Sequence, residues 1–96
     1  MLHLFTVADR FQIEGRGCVL VPGLPTEPGS PNVPRGAPIR LRRPDGRETD
    51  TVIKAIEMIS YRKRPENICI PILLPKEITK EDVPVGTEVL LLEEKV

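Results

Sequence analysis

The chain has 96 residues, with 14 Lys or Arg balancing 14 Asp or Glu at a formal net charge of zero. That length allows one modest core, and the balance excludes a protein drawn to nucleic acid or anionic membrane by its overall field. Phe5, Phe11 and Tyr61 are the aromatics, too few for the stacking platform of a single-strand binder, and 11 prolines exclude a mostly helical chain.

In chain order, Met1 to Phe5 is apolar but lacks a basic leader and is followed by Asp9 and Arg10, which is not the pattern of a signal peptide. Phe11 and Ile13 open a strand that resumes with Cys18 to Val21 after Gly15–Arg16–Gly17, where a bulge or sharp bend is expected. Residues 22 to 38, with six prolines and three glycines, read as a surface loop. Ile39 and Leu41 alternate with Arg40 and Arg42, the period of a strand with one face in a core. Pro44–Asp45–Gly46 is the turn of a hairpin: proline presets φ and glycine accepts a positive one.

From Thr49 to Tyr61 the chain is rich in β-branched residues, and its apolar phase slips near Ala55 and Ile56. A helix is the rival reading there, and the β-branching favours strand. Arg64 to Asn67 reads as a second connection. Ile68, Ile70, Ile72 and Leu74 then share one strand face, with Pro71 expected at an edge or a bulge because it cannot donate to a ladder. Thr79 to Asp82 resembles a capping box opening one short helical turn that Pro84 stops. The last strand spans Glu88 to Leu92. Six or so short strands without a long helix indicate an all-β domain, a small barrel or sandwich, over residues 1–96.

Little in the sequence carries catalytic chemistry. His3 is the one histidine, and Ser30 and Ser60 lie in no nucleophile elbow. No glycine-rich phosphate loop occurs, and Glu81–Asp82 and Glu93–Glu94 are adjacent carboxylates that diverge in a strand or turn. Cys18 and Cys69 have no CxxC partner and sit in apolar runs, as buried thiols do, with a single disulfide as the alternative. The expectation is a non-enzyme without metal or other cofactor. No apolar run, Ile68 to Pro75 included, approaches the ~20 residues of a membrane span, and a cytoplasmic location is expected.

Two basic clusters remain. Arg35, Arg40, Arg42, Arg43 and Arg47 face only Asp45 between residues 35 and 47, and Arg62–Lys63–Arg64 follows Tyr61. Solvated strand edges that resist aggregation are one reading. The other is a local patch for the phosphates of tRNA or rRNA.

Phe11–Gln12–Ile13–Glu14–Gly15–Arg16–Gly17–Cys18–Val19–Leu20–Val21–Pro22–Gly23 is similar to the F-x-I-x-G-R-G-x-V-x-x-G signature of the second domain of elongation factor Tu and its relatives. Gly36 to Leu41, Thr51 to Met58, Glu66–Asn67–Ile68 and Lys80 to Gly86 resemble that domain's later blocks, in the same order. The resemblance implies a small closed six-stranded antiparallel Greek-key barrel, acting as a non-catalytic binding module. In those factors the barrel helps hold the aminoacylated 3′ end of tRNA, while GTP is bound by another domain whose motifs are missing here. By position, Glu57 falls where the family's glutamate lies beneath the terminal adenine, and Asn67 where its asparagine edges the aminoacyl pocket. The chain departs from the pattern at Ser60 and Cys69 and in the long loop from Gly23 to Gly36. Candidate binding residues are thus Arg16, Arg40, Arg42, Arg43, Glu57, Arg62, Lys63 and Asn67. The partner is tRNA or rRNA, or else a protein, in an adaptor or self-associating role.

Overall fold

A computed structural model describes residues 1–26, 29, 33–56 and 69–92. The fold is all-β, with no α-helix among the described residues. Its strands are β1 (Leu2–Thr6), β2 (Asp9–Ile13), β3 (Gly17–Pro25), β4 (Pro38–Arg42), β5 (Glu48–Val52), β6 (Ala55–Ile56), β7 (Cys69–Leu73) and β8 (Glu88–Leu91). They form two four-stranded antiparallel sheets, in the orders β1-β8-β4-β5 and β2-β3-β7-β6.

The alternation at β4 places its residues as expected. Ile39 and Leu41 are fully buried, while Arg40 and Arg42 point away from the core. The β4–β5 hairpin turns at Pro44–Gly46, where the Arg43 amide donates to the Arg47 carbonyl (2.8 Å) and the Gly46 amide to the Arg43 carbonyl (2.9 Å). Asp45 completes the turn by accepting from the Arg47 amide at 2.9 Å.

Two segments carry the chain from one sheet to the other. The Val7 amide donates to Thr87 beside β8, and the next amide, Ala8, donates to Val21 of β3. Likewise the Ile53 amide donates to Ala37 beside β4, and the Lys54 amide to Leu73 of β7. Consecutive amides thus serve opposite sheets, which requires a sharp bend between them. The second bend is the physical origin of the phase slip in the sequence. It falls at Ile53–Lys54, just before the expected Ala55–Ile56, and both flanking segments are strand rather than helix. The remainder of that expected strand, to Tyr61, and the Arg64–Asn67 connection lie outside the described residues.

The structure alters three further expectations and adds one strand, β1. Gly15–Arg16–Gly17 does not interrupt one strand: Glu14 to Arg16 reverse the chain into a β2–β3 hairpin, the Arg16 amide donating to Ile13 at 3.0 Å. β1 was not legible, because a short apolar N-terminus without alternation shows no period. β3 runs on through Pro25, so residues 22–25 are strand rather than loop, and Val33 and Ala37 of the same stretch reach the core. β8 ends at Leu91, although the Leu92 amide still donates to Pro38.

Pro71 sits at a bulge. Leu20 pairs with Ile72 and Leu24 with Ile70, so β3 uses more residues than β7 opposite the proline, which has no amide to offer. The short turn arrives where its capping residues predict it, as a 3-10 turn at Lys80–Asp82. The Asp82 carboxylate accepts from the Thr79 amide (2.9 Å) and hydroxyl (3.0 Å).

Leu20, Ile39, Leu41, Ile53, Ile72, Leu74, Val83 and Val89 are fully buried and form one apolar cluster between the sheets with Phe5, Val7 and Cys18. Each such aliphatic side chain contributes about 1.5–3 kcal/mol through removal from water. No helix among the described residues is long and apolar enough to cross a membrane.

Candidate binding faces

The arginines of β4 stand in rows with carboxylates. Register places Arg40 beside Asp50 and Arg42 between Glu48 and Glu88. Arg40 makes a two-pronged pair, Nε to Asp50 Oδ1 at 2.6 Å and Nη2 to Oδ2 at 3.0 Å. Arg42 Nε donates to Glu48 Oε2 at 2.9 Å, and its Nη1 lies 3.6 Å from Glu88. Arg43 reaches Asp82 at 3.4 Å, and Arg47 reaches Asp45 at 3.6 Å.

The electrostatics follow this geometry. The Arg40 hydrogen bonds hold the Asp50 carboxyl below the usual carboxylate range, and Asp50 raises Arg40 in turn. Asp82 is lowered chiefly by the Thr79 amide, with help from the Thr79 hydroxyl and the Arg43 charge. Arg40, Arg42 and Arg43 therefore share one sheet, as the sequence suggested, but each has a carboxylate against it. The acidic partners were hidden because Glu48, Asp50, Asp82 and Glu88 lie outside the basic run. The hairpin turn carried the missing signal, since fixing its register pairs 40 with 50 and 42 with 48.

Arg16 lies elsewhere, in the β2–β3 turn of the second sheet, where its carbonyl accepts from Lys54 Nζ at 3.2 Å. Glu57, Arg62, Lys63 and Asn67 lie outside the described residues.

The second sheet carries a feature that the sequence reasoning missed. Phe11 pairs with Val19, Val19 with Leu73 and Leu73 with Ala55. Paired residues share a face, and the neighbouring row of Leu20, Ile72 and Ile56 belongs to the core. The row from Phe11 to Ala55 therefore faces away from that core. Val19 and Leu73 form its buried floor, while Phe11 is 52 % exposed and Ala55 half-buried. Lys54 and Arg16 stand at its border. The overlooked signal is the unbroken apolar run Cys18–Val19–Leu20–Val21, with its counterpart Ile72–Leu73–Leu74. A strand apolar on both faces is buried or bound on both.

The remaining chemistry-bearing side chains are dispersed. Cys18 and Cys69 are free thiols, the first buried and the second half-buried. Burial pushes the Cys18 thiol above its ordinary value. His3 shares a hydrogen bond with the Thr6 hydroxyl at 3.1 Å. Among the described residues no three His, Cys, Asp or Glu side chains gather as a metal site would require. Compared with models of protein families, with curated proteins and with solved structures, the chain matches none.

Proposed function

We propose that the two sheets are halves of one closed six-stranded Greek-key barrel, serving as a non-catalytic binding module of the translation-factor type. In this reading β1 continues into β2, and β5 into β6, as single bent strands. The pairing then runs in a ring: β1/β2 to β8, β4, β5/β6, β7, β3 and back. The ordered sequence blocks shared with the second domain of elongation factor Tu support the same architecture.

The contact surface is the outer face of the second sheet, and the ligand is the 3′ end of an RNA, as in tRNA. The observation behind this is the outward apolar row with exposed Phe11, bordered by Arg16 and Lys54. An apolar floor takes a terminal base and ribose by packing, and a cationic border meets one or two phosphates. Glu57, the family's residue beneath the terminal adenine, follows β6 directly in the chain. Because the β4 arginines are already paired, binding should depend little on salt, with a slope of about −0.7 per phosphate contacted.

Fluorescence anisotropy with a short single-stranded RNA carrying a free 3′ hydroxyl tests this reading. Phe11→Ala should weaken binding about 5- to 150-fold, the worth of one stacked base. Arg40→Glu with Arg42→Glu should leave it nearly unchanged. Equal binding by Phe11→Ala, or no binding at ~50 mM salt, overturns it.

A second reading, a protein–protein adaptor, is favoured by the paired arginines. Rows of alternating charge beside exposed Met1 and Val52 make a surface suited to a protein partner. Light scattering and a pull-down analysed by mass spectrometry decide between the two. A monomer that retrieves only RNA counts against the adaptor.

A further inference from the structure

Arg10 differs from the paired arginines of the first sheet. It stands opposite Leu20, and Gln12 opposite Cys18, so both side chains project to the core side of β2, away from the Phe11 face. Arg10 is half-buried, and its Nε is shielded from solvent without a hydrogen-bond partner. No carboxylate among the described residues pairs with its guanidinium, whereas Arg40, Arg42, Arg43 and Arg47 each have one. The 3-10 turn closes over this spot, with the Lys80 amide donating to Gln12 Oε1 at 3.0 Å.

A cation held partly out of water without a counter-charge is costly, and an arriving anion removes that cost. Burial dominates at the adjacent Cys18 and raises its thiol, but of the charges that reach it two are positive, Arg10 and Lys80, and one is negative, Glu81. We propose that the place where the 3-10 turn meets β2, with Arg10, Gln12 and Lys80 about it, binds an oxyanion of the phosphate class. Arg10 supplies the planar fork that matches such oxygens. Lys80 contributes charge, and the Gln12 side-chain amide, with its oxygen engaged by Lys80, has its N–H groups left to donate. The site lies on the opposite face of β2 from Phe11 and does not rest on the RNA reading.

Inorganic phosphate is the probe, followed by amide NMR shifts and by melting temperature. Shifts should saturate at residues 10, 12, 18 and 80, with those of the Phe11 face unmoved. At about five times the dissociation constant, phosphate favours the folded state about sixfold, a rise of about 4–8 °C in Tm. Arg10→Met, which keeps the apolar stem and removes the charge, should abolish both responses. Arg35→Met, at an exposed site, should keep them. The proposal falls if shifts rise linearly without saturating, if they scatter over exposed cations as for an adventitious ion only, or if Arg10→Met responds like the wild type.

Discussion

Alanine at Gly17 and at Gly15 should have unequal costs, although the two glycines flank one arginine. Gly15 has φ of +79° and open space where a Cβ would stand. Placing an L-residue in that conformation costs roughly 1–2 kcal/mol, and nothing else is lost. Gly17 has φ of +138°, and a Cβ there would overlap the Leu74 carbonyl oxygen, a backbone atom of the segment following β7. The Leu74 amide is tied to the Cys18 carbonyl at 2.8 Å, which holds this backbone against β3. Overpacking adds about 1–3 kcal/mol, for a total of roughly 2–5 kcal/mol. Against a typical stability of ~5–15 kcal/mol this is a large fraction. Urea denaturation reports it as a fall in midpoint at constant m. On heating, each kcal/mol lost lowers Tm by about 4–8 °C in a domain of this size. Equal losses for Gly17→Ala and Gly15→Ala would refute the close approach of β3 to the segment following β7. The G-R-G motif is thus two requirements, one of conformation and one of space.

Other consequences are open to the same assays. Leu41→Ala removes a fully buried side chain and should cost about 2–5 kcal/mol in urea melts. Phe11→Ala, at a half-exposed position, should cost only about 1 kcal/mol, so a loss of binding there would not be a loss of folding. The lowered carboxyls of Asp50 and Asp82 give stability that is complete above their unfolded value near ~3.9 and is lost as pH falls through the lower folded values. Asp50→Asn and Asp82→Asn should each flatten that acid limb in melts recorded across the range. An acid limb identical to the wild type's would count against the two pairings.

How much of this was legible depends on the range of the interaction involved. Ile39 and Leu41, the Pro44–Gly46 turn and the Thr79–Asp82 turn are local patterns, and each is found where the sequence puts it. The bend at Ile53–Lys54 showed as a phase slip, since a strand that changes sheets must change the face it buries. β1 and the strand portion at residues 22–25 were not legible. The first has no alternation, and the second is written in prolines and a glycine that ordinarily end strands. Arg40, Arg42 and Arg43 were legible only by themselves: their identity was plain, but the carboxylates beside them come from β5, β8 and the 3-10 turn, and only register brings them together. The Phe11 row was hidden for a related reason. Its members Phe11, Val19, Leu73 and Ala55 come from four strands, and only pairing shows that they share an outward face.

Amide chemical-shift mapping tests directly whether the Phe11 face is the contact surface. On titration with a short RNA bearing a free 3′ hydroxyl, shifts should concentrate at Phe11, Ile13, Arg16, Val19, Lys54 and Ala55, leaving Arg40, Arg42 and Arg43 unmoved. Shifts confined to the β4 arginines and their carboxylate partners would contradict it.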